Sequence, residues 1–164
     1  VRKRTQDILA ALRTWPDRAG WWRAAMELLW SLPLLLLIAW CAGLIAPATP
    51  PPAEEFALLA LTLLVAPALG EELLFRATLI PRERPSTVWV ALSVLLFVAW
   101  HPLQAITIGP PWAPAFLDPW FLACVAVLGA ALARIYTATR SIWPYVLTHW
   151  AVVFGWKAFL GGPF

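Results

Sequence analysis

Charge is scarce in this sequence and unevenly spread. From Leu28 to Ala53, and again from Pro85 to Leu117, there is no Asp, Glu, Lys or Arg. Only 13% of the 164 residues are charged against 62% hydrophobic, and mean hydropathy is +0.74. That balance excludes a soluble domain and predicts a polytopic membrane protein. Cysteine is almost missing: Cys41 and Cys124 each sit within an apolar run, read as packing residues, and offer no disulfide framework. Asparagine is missing altogether, so no asparagine side chain can serve any site. No internal repeat is visible, which removes the inverted-repeat signature of many transporters. No polar stretch is long enough to build a second core, so one bundle is expected. The first residue is Val1, which reads as a trimmed start, and no short signal-peptide pattern ends in a small-residue cleavage site.

The charge that is present gathers at the start. Arg2, Lys3, Arg4, Arg13, Arg18 and Arg23 face only Asp7 and Asp17, with Trp15, Trp21 and Trp22 between them. Residues 1–27 therefore read as a basic interfacial segment, one helix or two short ones broken near Pro16. Basic residues are too few in the body of the chain for a phosphate-binding array, so no nucleic-acid partner is expected. Residues 28–164 read as an all-α transmembrane bundle of about five spans. The first span is expected over about Leu29 to Ala46, ended by the proline-rich 47–52. The second is expected from about Phe56 to Ile80, kinked by Pro67, and the third from about Val88, bent at Pro102, to a loop around Gly109-Pro110-Pro111. The fourth follows Asp118-Pro119 to about Arg134, and the fifth runs from Trp143 to Phe159. Arginines in the second and fourth loops, with the basic start, predict a cytoplasmic N-terminus. Trp89 and Trp143 would be inner-belt anchors, Trp112 and Trp120 outer ones, and Lys157 near the outer end runs against the rule.

Against this background, Leu69-Gly70-Glu71-Glu72-Leu73-Leu74-Phe75-Arg76 stands out. Ionisable groups within a hydrocarbon layer cost several kcal/mol each, and persist there when paired, facing a cavity or chemically active. Helical spacing puts Glu72 and Arg76 on one face and turns Glu71 about 100° away, so one carboxylate is held while the other looks into a pocket. The plain alternative is a charge cluster at a helix end, solvated by headgroups and water. Both histidines, His101 and His149, also lie in apolar spans. Buried polar groups need partners, and in this chain the partners available to Glu71, Glu72, His101 and His149 are one another. Such a cluster either binds a divalent metal such as zinc or holds a water between a carboxylate base and imidazoles.

Glu71-Glu72-x-x-x-Arg76, then Phe97-x-x-x-His101, then His149 on a later span, resemble the three motifs of the CAAX-protease and bacteriocin-processing (CPBP) family of intramembrane endopeptidases. The resemblance covers about Leu58 to Phe159. It implies that residues 28–164 form a membrane-embedded protease domain, that Glu71 activates the attacking water, that His101 helps hold it, and that His149 stabilises the oxyanion. Glu72 and Arg76 would support the site. The family's third motif usually continues His-x-x-x-Asn or His-x-x-x-Asp, whereas Val153 stands here. Gln104, the indole of Trp150 and the hydroxyl of Thr148 are the candidate replacement donors.

The function this implies is hydrolysis of a peptide bond in a membrane-bound or lipid-anchored protein, near a C-terminal sorting, leader or CAAX-type signal, in the inner membrane of a bacterium. No cofactor is expected. The alternative is zinc held by Glu71, His101 and His149, with Glu72 as base. A catalytically inactive scaffold or immunity-type protein on the same fold is the competing class, and a proton or cation translocator the third.

Overall fold

The computed structural model describes residues 2–109 and 113–163, the side chains of Arg2 and Lys3 excepted. Its helices are α1 (Arg2–Arg13), α2 (Arg18–Cys41), α3 (Ala53–Ala77), α4 (Thr87–Thr107), α5 (Pro119–Thr139) and α6 (Trp143–Phe159), with a 3-10 turn at Ala113–Leu117. No strand occurs among the described residues, as expected where every backbone polar group must be satisfied without water. Among them, α2, α3, α4 and α5 are long and apolar enough to cross a membrane. Helix α6, at 17 residues, is about 26 Å long and completes the bundle. The protein is an all-helical membrane bundle.

Both ends of the first span differ from the sequence reading, and α5 runs on to Thr139 instead of ending near Arg134. The first span begins at Arg18, not near Leu29, because Asp17 caps it by accepting from the Gly20 amide at 2.8 Å. No second interfacial helix separates α1 from it. The span ends at Cys41, not near Ala46, because Gly43 adopts a left-handed conformation (φ 70°). Leu44 N then bonds Ala39 O and Gly43 N bonds Trp40 O, a Schellman stop. The chain beyond it runs along the end of α6, with Ala46 N on Leu160 O and Ala48 N on Phe159 O.

Helix α3 carries the most telling departure. Instead of a simple kink at Pro67, its winding is π-helical over Leu64–Glu71 and again over Leu73–Ala77. The wider turn accommodates a proline that has no N–H to give. Thr78 N still reaches back five residues to Leu73 O. Helix α4 runs through Pro102 to Thr107 without ending, and Pro110, Pro111 and Trp112, the expected loop and outer anchor, lie outside the described residues. In α5 the Asp118 carboxylate caps Trp120 N and Phe121 N at 2.7 and 3.0 Å, with Pro119 in the first turn.

Helix α5 is the axis of the bundle. Gly129, Ala131 and Ala133 on it are buried, and their small size lets neighbouring helices approach closely. By contrast, Leu37, Trp40, Leu61, Leu95 and Ile106 on α2, α3 and α4 are each at least 60% exposed, which is the surface a bilayer would cover. Basic segments meet at one end of the bundle. Arg82 donates to Thr14 Oγ1 at 2.9 Å and to Arg140 O at 3.2 Å, and the Arg140 guanidinium donates to Arg82 O. Ser141 and Trp143 bond the backbone at Thr14 and Leu12, so α1 is tied to the α3–α4 and α5–α6 connections.

Candidate active site

The innermost group is Arg76. Both it and Glu72 are wholly buried, and Nη1 donates to Glu72 Oε1 at 3.0 Å, the i,i+4 pairing their spacing suggests. Nη2 donates to the Gly129 carbonyl at 3.2 Å, and the guanidinium lies 4.0 Å from the centre of the Phe97 ring. Gly129 makes that approach possible. A Cβ there would stand 3.0 Å from Phe97 Cδ1 and 3.2 Å from Arg76 Nη2. Gly129→Ala should therefore cost about 1–3 kcal/mol by overpacking, read as a lower unfolding temperature in detergent, with Gly129→Val lower still.

Glu72 also binds His149. Nδ1 of His149 stands 2.8 Å from Glu72 Oε1, and since a carboxylate paired with arginine can only accept, Nδ1 carries the proton. The ring is 3% exposed and turns Nε2 toward Glu71, 4.0 Å from its Oε2. That separation is too long for a direct hydrogen bond, so His149 does not hold this oxygen of Glu71. Glu71 is the more open carboxylate, its side chain 14% exposed. Its Oε1 accepts from the indole N–H of Trp100 at 3.2 Å and from Gln104 Nε2 at 3.4 Å. His101 is fixed in the same way from α4: Nδ1 lies 2.9 Å from the Phe97 carbonyl. A carbonyl can only accept, so the remaining nitrogen, Nε2, is an acceptor. The Phe97 ring lies 5.1 Å from the His101 ring and 5.8 Å from the His149 ring.

Glu71, Trp100, His101, Gln104 and His149 line one cavity of about 500 Å³. A second, apolar cavity of about 290 Å³ extends between α2, α5 and α6 past Leu32, Leu35 and Leu128, and shares His101, His149 and Val153 with the first. The three groups expected at depth thus converge from α3, α4 and α6, with the second carboxylate and the arginine behind them.

The family model described as type II CAAX prenyl endopeptidase Rce1-like matches residues 52–155. The chain belongs to this family. No curated protein and no solved structure matches it. The Rce1-like family is one of membrane proteases, and the matched segment carries Glu71, Glu72, Arg76, His101, Gln104 and His149.

Two residues at the site of this Rce1-like protein escaped the sequence reading. Trp100 was legible in principle, because an indole N–H within a span needs an acceptor and its neighbour is a site histidine. Gly129 was too, as an isolated glycine in a helical pattern, which marks close approach. Of the replacement donors considered for the Val153 position, Trp150 is excluded, since its indole donates to Ala60 O at 2.8 Å. Thr148 lines the apolar cavity and not the larger one, while Gln104 is at the site but on Glu71.

The donors do not fit zinc as they stand. Two ligands of one tetrahedral zinc lie about 3.3 Å apart, shorter than the 4.0 Å between His149 Nε2 and Glu71 Oε2. Among the described residues no three His, Cys, Asp or Glu side chains group to hold a metal ion. Glu72, which would have to act as base, is sealed between Arg76 and His149.

Proposed function

We propose that this chain is an intramembrane endopeptidase in which Glu71 activates a water molecule to hydrolyse a peptide bond near the C-terminus of a membrane-bound or lipid-anchored protein. The observation that carries this reading is the division of labour between adjacent carboxylates: Glu72 is spent on Arg76 and His149, while Glu71 is held on one oxygen and presents the other to the cavity.

In the cavity that both residues line, a water beside Glu71 Oε2 donates one hydrogen to that oxygen, with His101 Nε2 as acceptor for the other, which leaves a lone pair for the scissile carbonyl carbon. Its attack forms the C–O bond as Glu71 takes the proton. The carbonyl oxygen gains the negative charge opposite His149, whose Nε2 donates to it when both ring nitrogens carry protons, Nδ1–H remaining on Glu72. When the C–N bond breaks, Glu71 returns the proton to the leaving amine. Burial of the site strengthens each of these interactions. The apolar cavity beside the site suits a lipid chain on the substrate, and the clustered basic end suits a cytoplasmic N-terminus in a bacterial inner membrane. We place the interfacial segment in α1 and the membrane-embedded protease domain from α2 onward, since the first span begins at Arg18 and not after residue 27.

Trp100→Phe should lower the rate about 10-fold by removing one donor from Glu71 while keeping the ring. Val153→Asn, which adds an amide to the cavity wall beside His149, should raise the rate or leave it unchanged. One observation favours the scaffold reading, the apolar Val153 where the family usually has a polar residue. Mass-spectrometric comparison of membrane-protein termini with and without the gene tests the proposal: proteins that keep extra C-terminal residues in the deletion are expected, and identical termini would overturn it.

A further inference from the structure

Helix α2 carries a stripe of Arg23, Glu27, Trp30, Leu34 and Leu37 that falls within about 80° of one helix face. The stripe runs beside the last turns of α5. There Arg23 Nη1 donates to Ala138 O at 3.2 Å, and Glu27 Oε2 accepts from Arg134 Nε and from the Trp30 indole, each at 2.8 Å. Glu27 thus fixes a guanidinium and an indole side by side. Arg134 is nevertheless 63% exposed, and its two Nη groups have no hydrogen-bond partner among the described residues. An arginine open on the outer surface of a membrane bundle is costly unless it meets an anion. Helices α2 and α5 contain no acid other than Glu27, so Arg23 and Arg134 together leave this groove one net positive charge. The two guanidinium groups are about one turn apart, roughly 6 Å along the axis, a gap that a phosphate accepting from both sides bridges. Trp30, Leu34 and Leu37, 41%, 38% and 60% exposed, continue from there away from the basic end. Cation, indole and leucine follow one another as phosphate, interface and acyl chain do within one leaflet.

We propose that the α2–α5 groove binds an anionic phospholipid, its phosphate on Arg23 and Arg134 and an acyl chain along Trp30, Leu34 and Leu37. The site lies outside the cavity around Glu71 and does not depend on the proteolytic reading. One net positive charge matches one phosphodiester, and it disfavours a zwitterionic headgroup, whose own cation the arginines repel. The headgroup bridges the two helices. Because α2 walls the apolar cavity through Leu32 and Leu35, bound lipid holds that wall against α5.

The test uses the full chain in mild detergent with phosphatidylglycerol, phosphatidylcholine or inorganic phosphate added, read by native mass spectrometry and by unfolding temperature. The wild type should retain phosphatidylglycerol at least about 10-fold better than phosphatidylcholine, and phosphatidylglycerol alone should raise the unfolding temperature. Arg23→Gln and Arg134→Gln should each cut the preference about 5-fold, the factor expected for one arginine near an anionic headgroup. Arg13→Gln, at an exposed position of α1 outside the groove, should leave it unchanged. Photoreactive phosphatidylglycerol should label residues 23–37 and 134–138 of the wild type, a readout that requires no variant to fold. Equal retention of the two lipids, an equal loss in Arg13→Gln, or labelling confined to other segments overturns the inference. Inorganic phosphate that stabilises the protein as much as phosphatidylglycerol overturns the lipid as the ligand.

Discussion

Arg76→Ala protein should fail to accumulate. The substitution removes the cation between Glu72 and the Gly129 carbonyl, empties the space against Phe97, and leaves a wholly buried carboxylate with His149 as its sole remaining partner among the contacts described. Breaking a buried pair from one side costs about 3–5 kcal/mol, a large part of a total stability of about 5–15 kcal/mol. Steady-state level and unfolding temperature should fall together, and activity with them. Arg76→Lys keeps the charge but loses the planar fork and the ring contact, so it should lie between the two. An Arg76→Ala protein that accumulates normally and is inactive would instead make Arg76 a group that touches substrate.

Glu71→Gln should act in the opposite way, leaving the fold and removing the chemistry. Glutamine matches the shape of the carboxylate and its Oε1 can still accept from Trp100 and Gln104, so the unfolding temperature should stay within about 1–2 °C of the wild type, the shift expected for a small change in free energy. What it lacks is the basicity to take a proton from water. General-base catalysis typically contributes about 10²–10⁴-fold, and the rate of cleavage should fall by at least that range. Glu72→Gln should differ from it in lowering stability as well, because that residue holds both Arg76 and His149.

The sequence was most informative where chemistry is local. The spacing of Glu72 and Arg76 stated their pairing, Asp118-Pro119 stated the start of α5, and the scarcity of ionisable groups at depth forced Glu71, Glu72, His101 and His149 to be considered together. Counting residues along straight helices, however, puts Glu71, His101 and His149 at unequal depths, about 14, 20 and 8 Å from one side. Their convergence depends on helix offsets and on the π-helical winding around Pro67, which leaves no mark in a hydrophobic pattern. The start of the first span was hidden for another reason: Trp21, Trp22 and Arg23 suit a membrane surface whether they lie along it or begin a crossing. The seat of the guanidinium was hidden because Gly129 comes from a helix 53 residues further along the chain, and one sequence does not show which spans touch.

The central claim is that Glu71, not merely the fold around it, performs proteolysis. The most direct measurement follows one precursor identified by the terminus comparison, in cells whose only copy of the gene carries Glu71→Gln. The protein is expected at its normal level, with the uncleaved precursor accumulating as it does in the deletion. Normal processing of that precursor by the Glu71→Gln protein would contradict the account.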